Sequence, residues 1–218
     1  MEISINQLAE FAVSTELGKK RIVKQQQTPD PVRIPWYQLC KARIRKFFEQ
    51  NGNYDPILEG IAILSERTSE KKWQQIDNVV SREALQNFME MKMPPLLNKF
   101  DYKSFRPEEK SIVIDGVKII IAPDLVFRME VEGKIFLGGV KIHVCKSKPF
   151  TLQQSQLVSS IIYRYIKENV AKPEEEVMPE LCFSLDVFAK RIVQTHKDQN
   201  LELGKIEAIC KDIAAIWK

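Results

Sequence analysis

Hydrophobic positions recur along the first ninety residues with the period of a helix and along the next fifty with the period of a strand. Ile5, Leu8, Ala12 and Val13 share one face of a helix predicted over residues 4–27, which ends in the polar run ELGKKRIVKQQQ. The segment TPDPVRIP holds three prolines and reads as a connector, because proline cannot propagate a helix. Pro35 suits the first turn of a second helix in which Trp36, Cys40, Ile44, Phe47 and Phe48 recur at helical spacing. Asn51-Gly52-Asn53 ends it, Asp55-Pro56 opens a third with Ile57, Leu58, Ile61 and Leu64, and Ser69 opens a long fourth. The stripe of that fourth helix is Trp73, Ile76, Val80, Ala84, Phe88 and Met91, and Pro94-Pro95 stops it. Aromatics and methionines at this spacing read as core.

After the prolines the period changes to two. Ile112 and Ile114 alternate, Asp115-Gly116 is a two-residue hairpin turn, and Val117, Ile119 and Ile121 alternate beyond it. Pro123, which cannot donate to a ladder, marks a bend. Leu125, Phe127, Met129 and Val131 then face one way, with Asp124, Val126, Arg128 and Glu130 on the other side. Glu132-Gly133 is the next turn, and a strand through Val140, Ile142 and Val144 follows. Thr151 with Gln154 forms a capping box at the start of a helix over 151–169, with Val158, Ile162 and Ile166 as its buried stripe. LCFSLDVF reads as an apolar strand, RIVQT as its continuation after a turn, and a last helix from Leu201 buries Ile206, Ile209, Ile213 and Trp217. This order predicts an α/β (α+β) fold, a mixed sheet flanked by helices, with a helical region over 1–95 and an α/β core over 96–218 packed as one unit.

The hairpin turn also fixes register. A two-residue Glu132-Gly133 turn pairs Val131 with Lys134 and, counted outward, sets Asp124 opposite Lys141. Directly opposed side chains lie within about 5.5 Å at Cβ, close enough to share one site. His143, two residues on, lies on the same face and is a candidate ligand, base or phosphate contact.

Composition adds limits. Among 218 residues the net charge is +4, which permits nucleic-acid contact without requiring it. The local cluster Lys41, Arg43, Arg45 and Lys46 is the stronger electrostatic signal, and Lys146, Lys148 and Gln153 near the capped helix suit backbone phosphates. Four cysteines without C-x-x-C spacing argue against a zinc site or a disulfide framework and fit a reducing cytoplasm. The start MEISINQLAEF has neither the basic head nor the apolar run of a signal peptide, and no stretch approaches the ~18 apolar residues of a membrane span.

Pro123-Asp124 heading one strand, Gly139-Val140-Lys141 on the next, then a capped helix and an apolar strand resemble the PD-(D/E)XK nuclease superfamily over residues 80–190. The whole chain also resembles an uncharacterised bacterial family of similar length. The superfamily resemblance implies a restriction-endonuclease-like fold and phosphodiester cleavage dependent on Mg²⁺ or Mn²⁺, in DNA repair, restriction or phage defence. Carried over, Asp124 is the metal ligand and Lys141 the catalytic lysine. The superfamily places a second acid two residues before the lysine, and here that position is Gly139. Asp186 and Glu90 are the candidates to replace it. The alternative is a catalytically inactive nuclease fold serving as a nucleic-acid-binding scaffold or as a protein-interaction subunit of a larger complex.

Overall fold

A computed structural model describes residues 1–28, 36–196 and 200–218 of the chain. The prolines of the predicted connector, Pro35 included, lie outside the described residues. The chain is mixed α/β, as its periodicities predict, and its strands divide into two sheets.

The first departure comes at the N-terminus. The single helix expected over 4–27 is instead strand β1 (Glu2–Ser4), helix α1 (Ile5–Ala12) and helix α2 (Glu16–Gln27). Ser4 caps α1, its hydroxyl accepting from the Gln7 amide, and Thr15 caps α2 by accepting from the Gly18 amide. The cap residues Ser4 and Thr15, on either side of the apolar positions, therefore divide the expected helix, and the period alone could not show this.

Helices α3 (Gln38–Glu49), α4 (Asp55–Glu66) and α5 (Lys72–Met89) follow the expected pattern, except that Leu58 of α4 is exposed and the buried face of α5 is shifted. On α5 the buried positions are Asn78, Ser81, Ala84, Leu85 and Phe88, whereas Ile76 of the predicted stripe is exposed. The short helix α6 (Pro95–Lys99) and strand β2 (Tyr102–Phe105) carry no signal strong enough to predict them. Strands β3 (Ser111–Ile114) and β4 (Val117–Ile120) form the Asp115-Gly116 hairpin, and β1 pairs parallel to β4 to complete a three-stranded sheet, order β1-β4-β3.

The larger sheet holds β5 (Leu125–Val131), β6 (Lys134–His143), β7 (Glu175–Asp186) and β8 (Arg191–Gln194), in the order β2-β5-β6-β7-β8. The β5–β6 ladder runs antiparallel from Val131↔Lys134 to Leu125↔Val140, the register expected from the two-residue turn. Helix α7 (Leu152–Asn169) crosses over to β7, which lies parallel to β6, and both halves of the Thr151/Gln154 capping box are made. Helix α8 (Asn200–Trp217) closes the chain. Among the described residues no helix is long and apolar enough to cross a membrane.

Alternation on β5 and β6 gives the larger sheet two apolar faces. Leu125, Phe127, Val140, Ile142 and Phe183 meet Ile44, Phe48, Leu85 and Phe88 of α3 and α5, with the Phe48, Phe127 and Phe183 rings in contact. Val126, Leu137 and Cys182 face α7, where the small sheet and helices α1, α2 and α8 complete a second core. Each core mixes residues from the first hundred with residues from the rest. Asp124, Lys141 and His143 lie at the end of the sheet where β5 begins and β6 finishes.

Candidate functional site

The site grows from a corner in the chain. Between β4 and β5 the backbone turns at Ala122, whose φ of 40° lies in the left-handed region, and Pro123 then leads into the larger sheet, which β5 enters at Leu125. The carbonyls of Ile121 and Ala122 point inward there, and Lys141 Nζ donates to both, at 2.8 and 2.7 Å. Asp124, next in the chain, extends the ladder: its amide donates to the Val140 carbonyl at 2.9 Å, and its Oδ2 accepts from the Ile142 amide at 2.8 Å. The predicted neighbours are thus brought to one place, but their polar atoms take other partners. The ion pair of Asp124 is with Arg45 of α3, Nη1 to Oδ1 at 3.5 Å.

Electrostatically the site is cationic. Burial pushes the Lys141 ammonium below its ordinary pKa; Asp124 opposes that shift, and the positive charges of Lys41 and Arg45 add to it. Two cations and one carboxylate are therefore close enough to act on the Lys141 ammonium. Arg45 Nε is also buried with no hydrogen-bond partner, a donor left available at the edge of the cluster.

His143 stands further from this centre. Its Nε2 lies 2.9 Å from the Lys148 carbonyl, which can only accept, so that nitrogen carries the proton of the neutral ring. The ring stacks on Phe150 at 3.7 Å between centroids, and burial lowers its pKa below the usual value. Asp186 is fully buried beside it. One oxygen accepts from the Phe150 amide at 2.6 Å and the other from the Ala189 amide at 2.8 Å, so this carboxylate ties two loops to the end of β7. Glu90 is exposed at the end of α5 and pairs with Lys190 at 2.5 Å.

The expected phosphate contacts separate. Arg43 turns towards α4 and pairs with Glu59 at 2.7 Å, whereas Lys41 and Arg45, one turn apart, face the corner. Lys46 and Gln153 are exposed. Lys146 pairs with Glu83 and Lys148 with Glu10, at 2.6 and 2.8 Å, both on the surface. Tyr37 was not anticipated. It precedes α3 with φ at 61°, its amide donates to Asp77 at 2.8 Å, and its hydroxyl accepts from the Lys146 amide at 3.3 Å. A left-handed tyrosine carries no sequence signal, but the four-residue spacing of Lys41 and Arg45 does put those two on one face of α3.

The Mg²⁺ or Mn²⁺ implied by the resemblance fits this donor set poorly. Hard cations are usually held by one or two carboxylates with phosphates and water. Here one oxygen of Asp124 is committed to a backbone amide and the other to a guanidinium. The position for a second acid is closed as well: a Cβ on Gly139 would stand 2.7 Å from Ile166 Cδ1 and 3.2 Å from the Leu125 carbonyl oxygen. The residues that converge on Asp124 suit an anion better than a cation. No family model matches the chain, and no curated protein is significantly similar to it in sequence.

Proposed function

We propose that the chain is a nuclease-derived protein that binds the nucleic-acid backbone without metal-dependent cleavage. The observation that carries this reading is the cationic setting of the corner: Arg45 pairs with Asp124, and Arg45 and Lys41 act on Lys141, while a glycine stands at position 139, where the superfamily places its second acid. The order of hairpin, capped helix and parallel strand around Asp124 and Lys141 supports descent from the PD-(D/E)XK superfamily. A phosphate between Arg45 and Lys41 would supply the partner that Arg45 Nε lacks. Such a protein would serve in repair or defence as a subunit that holds nucleic acid.

The test is binding of labelled oligonucleotides across a range of salt, with cleavage followed in Mg²⁺ and in Mn²⁺. Binding should weaken linearly in log salt, and each of Lys41→Ala and Arg45→Ala should reduce the slope by about one. Asp124→Ala should leave the product pattern unchanged, because no cleavage is expected. Metal-dependent cleavage abolished by Asp124→Ala would restore the nuclease reading. A tight protein partner with no salt-sensitive nucleic-acid binding would favour the interaction subunit instead.

A further inference from the structure

Beside the cationic corner lies a chain of aromatic rings that the packing does not enclose. Trp73 at the start of α5 meets Trp36 at 6.3 Å between centroids, Trp36 meets Tyr37 at 6.4 Å, and Tyr37 meets Phe188 of the β7–β8 turn at 5.9 Å. All four are half-buried, so each ring keeps part of its surface towards solvent. None belongs to the fully buried core, and they come from three separate parts of the fold.

The backbone is shaped to place them. Tyr37 adopts a left-handed conformation that an aromatic residue rarely takes, fixed by Asp77 at its amide and by Lys146 at its hydroxyl. From that point α3 carries Lys41 and Arg45 at four-residue intervals, about 6 Å apart along the axis. Rings thus sit at one end of a stripe and cations at the other. Tyr37 and Phe188 also rest on the edge of the core. The duplex backbone could use the cations alone, whereas the exposed ring surface can stack only on unpaired bases, because base faces in a duplex are already stacked.

Resting on the backbone-binding reading, we infer that the ligand is a single-stranded nucleic acid, whose bases stack on Trp36, Tyr37, Trp73 and Phe188 while its phosphates follow Lys41 and Arg45. The chain has three tryptophans, so in a Trp217→Phe background the remaining two both report from this surface. An oligo-dT of about a dozen nucleotides, within the usual site size, should quench their fluorescence, and a blunt duplex of equal length should bind more weakly and quench little. Trp36→Ala should weaken dT binding about tenfold with duplex binding unchanged, and Trp36→Phe should keep most of the affinity. Arg45→Ala should weaken both. Since the quench is read with both rings present, a folding defect in Trp36→Ala does not remove the test. Duplex binding as tight as dT, or dT bound without quenching, overturns the single-strand inference and leaves the backbone-binding reading standing. Failure to bind either oligonucleotide overturns both.

Discussion

His143 shows how an attractive residue can be occupied by the fold. Its ring is sandwiched against Phe150, donates to the Lys148 carbonyl, and lies 3.9 Å from the buried Asp186 carboxylate. Burial is the largest influence on its pKa and lowers it; the hydrogen bond to Lys148 and the charge of Asp186 pull the other way, and Lys41 and Lys141 add to the lowering. Between the depressed folded value and the ordinary value near 6.5 the unfolded chain binds more protons than the folded one. Stability therefore falls as pH drops through that window. Urea unfolding of the unmodified protein and of His143→Gln should converge in this window, because glutamine can still donate to Lys148 but cannot take up a proton. A constant difference between the two at all pH values would show that the ring titrates alike in both states.

At the scale of elements, the contact between β6 and α7 decides whether position 139 could carry an acid. Gly139 is required because Ile166 and Ile162 of α7 lie directly over the strand. Gly139→Glu must displace Ile166 and bury a carboxylate, so a loss of at least about 1–3 kcal/mol is expected from overpacking alone. The urea midpoint should fall with little change in slope, and Ile166→Ala in the same chain should recover part of the loss; an unchanged midpoint would mean that α7 moves aside freely. What could be read in advance follows from locality. The β5–β6 register and the α7 capping box depend on residues close in the chain, and both were legible. The break between α1 and α2 was also locally coded, by Thr15, yet the apolar period leading up to it masked it. The departure of Ile76 from the buried face of α5 was not legible, because packing partners from α3 and α4 choose that face.

For the whole molecule the least legible feature is the division into two sheets. Strand β1 finds β4 across more than a hundred residues, and no pattern within Glu2–Ser4 names its partner. Asp124 and Lys141 were predicted as neighbours, but the use of Lys141 depends on the corner where the chain leaves one sheet for the other. There its ammonium holds the Ile121 and Ala122 carbonyls, which would otherwise be left without that donor beside a left-handed alanine. Lys141→Met should therefore destabilise the protein by about 1–3 kcal/mol, the usual cost of leaving buried polar groups unpaired. The size of the loss should depend on pH in a way that separates this clamp from a simple ion pair. Because burial lowers the folded pKa below 10.5, the unfolded chain holds more protons between the two values, and the unmodified protein gains stability as pH rises through that window. A neutral amine still donates to both carbonyls, whereas methionine donates nothing at any pH. The gap between the two proteins in urea should accordingly widen with rising pH. A gap that narrows would mean that attraction to Asp124 outweighs burial, and that Lys141 acts chiefly as the partner of that carboxylate.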